Sequence, residues 1–396
     1  MISQKMVAWG SEGSVIREIA AYGDQRASEI GAENVFNFTI GNPSVKAPDC
    51  VEQSIQRLLQ TVAPETLHAY TPAPGLLAVR QRMADYLNDS FGMQYSAQDI
   101  YMTSGASSAL AILCSALLSE GDEALTLAPY FPEYKIYSEA AGASLVGVPS
   151  DPDTFQIDLK AVERALNPRV GAVLLNSPNN PSGVVLSRES LEALSNLLLQ
   201  HAKAYGHPIY VVADEPYREL VYGDVEVPFL PQLYPDCIYC YSLSKSLSIP
   251  GERVGFIALP PGLQDYERVR AAMYGAGRAL GYINVSSLFQ LVAADCIGQT
   301  ADLSVYEKNR NFIYAELKQM GFECVRPDGA FYLFLKAPDR DSRAFCKRAM
   351  ELDVLLVPGD EFGCPGYARL AYCVPGEALE RSLPKFRALA KHYGLC

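Results

Sequence analysis

From Asp99 onward, short apolar runs and helix-patterned segments take turns along the chain, and that order constrains the fold more than any other feature. Strands are expected over 100–103, 124–128, 144–148, 170–176, 208–214, 237–242 and 255–259. Helices are expected over 106–118, 131–141 and 188–204, with the Gly121-Asp122 break closing the first of them. Strands that are apolar on both faces and separated by helices argue for an α/β fold, a mainly parallel sheet covered by helices on both sides. Ligands of such sheets bind beyond the carboxyl ends of the strands, which directs attention to the loops there.

After about residue 285 the pattern changes. A long helix through Met320, strands near 322–325 and 330–335, and helices over 342–352 and 377–392 read as a smaller α+β domain. The segment before Asn42 is too short for a core of its own, so it is expected to pack with that domain. The expected division is thus 42–284 for a large domain, with 1–41 and 285–396 forming a small one.

At 396 residues the chain has length enough for two or three domains, and 49% hydrophobic with 20% charged residues is an ordinary globular balance. Lys and Arg number 33 against 45 Asp and Glu, a formal net charge of −12 with no basic run, so neither nucleic acid nor an anionic membrane surface is an expected partner. The most apolar stretch, 109–118, is too short to cross a bilayer, and the first fourteen residues carry no apolar core of a signal peptide. A cytoplasmic location is expected. Ten scattered cysteines read as small buried hydrophobes, and Cys237-Ile-Tyr-Cys240 as part of an apolar strand, since no second pair or nearby His completes a zinc set. No metal is expected.

The strongest chemical signal runs from Tyr241 to Gly255, where a strand ends in a small-residue loop carrying Lys245 and, eight residues on, Arg253. A lysine enclosed by Ser and apolar residues tends to a lowered pKa and can act as an amine nucleophile; a solvated lysine is the other reading. Asp214 directly follows an apolar strand, where an unpaired carboxylate is costly, so it needs a cationic partner. The Pro/Asn/Gly loop from Asn176 to Gly183 can present the Asn180 amide rigidly. Thr103-Ser-Gly105-Ala106-Ser107 passes from strand into helix, so the amides of Ala106 and Ser107 are free donors at a positive helix end, an anion cradle for Arg253 to complete.

Together these residues resemble the class I/II aminotransferases, pyridoxal-5′-phosphate (PLP) enzymes of fold type I. The resemblance also takes in Ile40-Gly41-Asn42-Pro43, Tyr70 to Gly75, Pro129-Tyr130-Phe131-Pro132, Pro327 to Tyr332, Pro358 to Gly363 and Ala368 to Tyr372, all in the family's order. It implies a large domain with a seven-stranded type of sheet, and a homodimer with shared active sites in which Tyr70 reaches the phosphate of the neighbouring subunit. It further implies that Lys245 forms the Schiff base, that Asp214 pairs with the pyridine nitrogen, and that Asn180 and Tyr217 bond the ring's phenolate oxygen. Gly105, Ala106, Ser107, Ser242 and Arg253 would hold the phosphate, and Phe131, or its neighbour Tyr130, would stack on the ring. Arg369 would clamp the substrate carboxylate, with the Gly41 backbone and Asn180 lining the same pocket.

The implied activity moves an amino group between an L-amino acid and a 2-oxo acid by a ping-pong mechanism. Arg278 lies at about the right distance beyond Lys245 to bind a distal carboxylate from the partner chain, which would make the substrates aspartate or glutamate; a surface arginine is the other reading. The same scaffold hosts carbon–sulfur β-lyases, which are the alternative activity. A hydrolase reading fails at Ala109, where a nucleophile elbow wants glycine, and a dehydrogenase reading fails because Gly275, Gly277 and Gly281 miss the dinucleotide spacing. A cofactor-binding transcription regulator would need a preceding DNA-binding domain, for which the motif at Ile40 starts too early.

Overall fold

A computed structural model describes residues 2–11 and 15–395. Twelve strands occur among them: β1 Phe36–Asn37, β2 Ile100–Thr103, β3 Glu123–Ala128, β4 Ser144–Pro149, β5 Val170–Asn176, β6 Tyr210–Asp214, β7 Cys237–Ser242, β8 Gly255–Ala258, β9 Tyr332–Lys336, β10 Val354–Leu355, β11 Val357–Pro358 and β12 Tyr367–Ala371. Seven form one sheet in the order β2-β8-β7-β6-β5-β3-β4, parallel except for β8, which runs antiparallel to both its neighbours. This is the expected α/β sheet.

Alternation along each strand feeds two separate cores. Cys237, Tyr239 and Tyr241 of β7 face one side, with Val211 and Ala213 of β6. Ile238 and Cys240 face the other, with Val212 and the helix Ala106–Leu117. Both faces are buried, which is why these strands read as continuous apolar runs. Cys237 and Cys240 are buried in that strand, and the nine described cysteines are free; Cys396 lies outside the described residues.

A three-stranded antiparallel sheet, β11-β12-β9, supports a third core that includes Phe322, Phe345 and Phe386. Phe36 and Phe38 join it, and β1 pairs in parallel with β10, so the N-terminal segment packs against the C-terminal one. The long helix expected through Met320 is two helices, Ser287–Cys296 and Ser304–Gln319. Gly298 at φ +85° ends the first, and the linker turns away to give the Ala301 amide to the Ser246 carbonyl at 2.8 Å. Val292, Ala293 and Cys296 of the first helix are buried in the large sheet's core, beyond the expected division at residue 285. The strand expected near 322–325 is reduced to a single bridge between Cys324 and Leu335. No helix of the described residues is long and apolar enough to cross a membrane.

Candidate active site

Parallel strands deliver their following loops to one edge of the sheet. Since β8 is antiparallel, it begins at that edge, so Arg253 just before Gly255 arrives beside the ends of β2 and β7. There the loops enclose a cavity of about 270 Å³. Gly41, Ala106, Ser107, Phe131, Asn180, Asp214, Tyr217, Ser242, Lys245, Arg253 and Arg369 all line it. Gly105 does not line it, but lies directly against the Arg253 guanidinium. Tyr70 and Arg278 do not line it: Tyr70 is 96% exposed, and Arg278 is exposed in the last turn of the helix Tyr266–Ala279. Tyr130 packs toward Gly147 and Gly363 instead, so of these two neighbours it is Phe131 that lines the cavity.

Asp214 ends β6 at 4% exposure. Its Oδ2 accepts a 2.7 Å bond from the Tyr134 hydroxyl, while its Oδ1 is buried with no hydrogen-bond partner. Burial pushes the carboxyl up to about 7, against the lowering effect of the Tyr134 bond. The amide of Asn176 holds the Asp214 carbonyl at 2.7 Å, and the Asn176 side-chain oxygen accepts from the Asn180 backbone, so adjacent strand ends are tied together.

Lys245 projects from the one-turn helix Leu243–Ser246, and its Nζ donates to the Gly41 carbonyl at 2.8 Å. Burial brings its amine down to about 8, opposed by Cys373 and assisted by the positive charges of Arg253 and Arg369. A neutral amine is therefore accessible near physiological pH.

The helix Ala106–Leu117 has glycine at its N-cap, and no side chain caps its first turn. A Cβ on Gly105, whose φ is +79°, would lie 2.6 Å from Arg253 Nη2. Glycine lets the guanidinium sit at the helix end, where it bonds the Ser104 carbonyl at 3.2 Å. Amide donors and a cation converge there as in phosphate sites.

Arg369 is 3% exposed; its Nη1 donates to Asn180 Oδ1 at 2.9 Å, Nη2 bonds the Thr39 carbonyl, and Nε is buried without a partner. Its guanidinium lies over the rings of Tyr332 and Phe362, at 4.7 and 4.9 Å. Two site residues were not singled out from the sequence. Tyr134 sits in a helix whose pattern gives no sign of its bond to Asp214, while Tyr332 closes the Pro327–Tyr332 motif and places its hydroxyl 2.9 Å from that of Tyr217. Burial and the adjacent Tyr332 hold the Tyr217 phenol well above its usual range, so it remains a donor.

The charged lining is Lys245, Arg253 and Arg369 against Asp214 alone. An anionic ligand that also carries one cationic atom for the unpartnered Asp214 Oδ1 matches this set, and a phosphorylated pyridine aldehyde has those groups. The residues fit PLP.

Comparisons with known proteins agree with that chemistry. The family model for aminotransferase class I and II matches residues 33–386. A probable N-acetyl-LL-diaminopimelate aminotransferase of Bacillus subtilis is 31% identical, covering 93% of each chain, and an aspartate aminotransferase of Thermotoga maritima is 32% identical, covering 89% of this chain and 90% of that one. A crystal structure of an aminotransferase from Eubacterium rectale has a TM-score of 0.97 at 46% identity, covering 100% of this chain and 99% of the other. The chain belongs to the class I and II aminotransferases. It is an enzyme of amino-group transfer that uses PLP, and the comparisons favour that activity over the β-lyase alternative.

Proposed function

We propose that this cavity carries out both half-reactions of a transamination, with Lys245 as the reacting amine. The observation that carries the reading is the buried, unpartnered Oδ1 of Asp214 in the same cavity as a desolvated lysine. PLP supplies the electron sink that lets a proton leave the substrate Cα. Asp214 pairs with the ring nitrogen and keeps it cationic; Tyr217 and Asn180 orient the ring through its phenolate oxygen. Lys245 would take the Cα proton and return it to the cofactor's C4′ on the far side of the intervening nitrogen, a task suited to an amine whose pKa lies near the working pH. Ser107, Ser242, the Ala106 amide and Arg253 hold the phosphate, Phe131 covers one ring face, and Arg369 binds the substrate carboxylate at a site where burial already limits water.

The particular donor follows from a second protomer. The cavity's own three cations are committed to the cofactor and the α-carboxylate, so a distal carboxylate needs a cation from outside. Arg278, exposed at a helix end, suits that role in a homodimer, and Tyr70, also exposed, suits a phosphate contact across the same interface. Aspartate and glutamate are therefore the proposed donors, 2-oxo acids the acceptors, and the cytoplasm the setting.

The absorbance spectrum of the cofactor-loaded protein tests this directly. Glutamate or aspartate should convert the aldehyde-form band to the amine form, and a 2-oxo acid should restore it. Release of pyruvate and ammonia from cysteine conjugates in place of that conversion would refute the assignment.

A further inference from the structure

Lys245 stands on a helix of only four residues, Leu243–Ser246, closed by one bond from the Leu247 amide to the Leu243 carbonyl at 3.1 Å. A single turn is unstable by itself, so its geometry comes from what grips it. Ser246, the residue after Lys245, is buried at 1% exposure, and its carbonyl is held by the Ala301 amide. Its hydroxyl lies 3.0 Å from the Tyr241 hydroxyl, which in turn lies 2.7 Å from Glu219 Oε1.

Each hydroxyl has one proton to give. Tyr241 is the donor in both contacts, so its single proton is shared between Glu219 Oε1 and Ser246 Oγ and ties the carboxyl group to the turn. Burial beside Glu219 holds the Tyr241 phenol well above its usual range, so the proton stays on the phenol. Part of the Glu219 residue reaches the surface, yet its Oε2 is buried with no hydrogen-bond partner. The nearby cation is committed elsewhere: Arg218 pairs with Glu215, bonds the Val227 carbonyl at 2.6 Å and stacks over Phe91 at 4.4 Å. Burial raises the Glu219 carboxyl, and the bond from Tyr241 is the strongest influence opposing that, ahead of the Arg218 charge and the Tyr86 hydroxyl.

We propose that Glu219, acting through Tyr241 and Ser246, is a positioning residue that fixes the one-turn helix and so aims the amine of Lys245. This rests on reading Lys245 as the reacting amine. None of the three side chains needs to touch substrate. They set the angle from which the amine reaches the Cα proton, and misplacement by about 1 Å can cost on the order of 100-fold in rate.

The test compares Tyr241→Phe, Glu219→Leu and Glu219→Gln, using two readouts. In cofactor-free protein, the pH dependence of Lys245 acetylation by acetic anhydride, which releases acetate and a proton, is followed by mass spectrometry and gives the amine's apparent pKa. In loaded protein, kcat and KM are measured separately. Tyr241→Phe and Glu219→Leu are expected to raise the acylation pKa, because a looser turn lets water reach the amine, and to lower kcat by about 10- to 100-fold with KM within about threefold. Glu219→Gln, whose amide oxygen can accept the same bond, is expected to stay near wild type in both. A lower melting temperature with an unchanged acylation profile would mean a structural role only and would overturn the proposal. So would Glu219→Gln and Glu219→Leu behaving alike, a comparison that decides the matter even if Tyr241→Phe does not fold. Acylation needs no substrate, so failure of the donor assignment leaves this result readable.

Discussion

At the scale of single residues, Asp214 couples function to pH. In the cofactor-free protein its carboxyl is raised from 3.8 to about 7 by burial, so the folded chain holds this proton more tightly than the unfolded chain does. The stabilisation is complete below about pH 4 and is lost as pH rises through 7; at full ionisation the difference is on the order of 4 kcal/mol. Asp214→Asn removes the titration. The cofactor-free variant should therefore gain thermal stability over wild type as the pH goes from 5 to 8, while losing nearly all turnover when loaded. Parallel melting curves of the two proteins across that range would contradict the burial argument. Lys245, Asp214 and Arg253 were legible in the sequence because charged residues beside apolar strand ends have few inexpensive explanations, whereas Arg369, in the middle of β12, was reached only through the family resemblance. Tyr134 was not, because an aromatic at a helical position ordinarily means core, and its partner Asp214 is 80 residues away.

At the scale of elements, the site depends on two loops meeting at the start of β8. Gly255 pairs with Ser242 on one side and with Thr103 on the other. A Cβ there would lie 2.3 Å from the Tyr241 carbonyl oxygen and 3.2 Å from the Cα atoms of Gly105 and Ser242. These are backbone atoms, which cannot swing aside. Gly255→Ala should cost about 2 kcal/mol of stability, within the usual range for overpacking, and should weaken cofactor binding because it spreads the Gly105 cradle from Ser242. Calorimetry and cofactor titration check the two effects; an unchanged melting temperature with unchanged affinity would show that the strands can part without cost. Six of the seven strands of the large sheet were readable because burial on both faces leaves apolar runs; the edge strand β4 is mostly unburied and was read from its place in the alternation. Strands β1 and β10 were not, being two residues each and paired across more than 300 positions, Phe36 with Val354. The break between the helices Ser287–Cys296 and Ser304–Gln319 was missed for a related reason: the linker leaves the helical path to bond Ser246, a tertiary demand that periodicity does not carry.

At the scale of the whole molecule, the chain's own cavity brings together the residues proposed to hold PLP and an α-carboxylate, while Tyr70 and Arg278 stay outside it. The Tyr70 phenol is 96% exposed, and in the proposed C2 dimer it is assigned to the second protomer's site. Hybrid dimers separate the two arrangements. Lys245→Ala should keep the fold and lose turnover; Tyr70→Phe should lose about tenfold through a missing hydrogen bond to a charged phosphate. When the two variants are unfolded together and refolded, a hybrid dimer combines Lys245 of one chain with Tyr70 of the other in one intact site, and both lesions fall in the second site. Activity per protein should then rise above the mean of the separately refolded variants, with the hybrid population working at half the wild-type rate. If Tyr70 serves its own chain, every lysine-bearing site in the mixture keeps the Phe lesion and no gain appears. The sequence carries this prediction only through family resemblance, since exposure of one tyrosine is a property of the folded surface that no local pattern encodes.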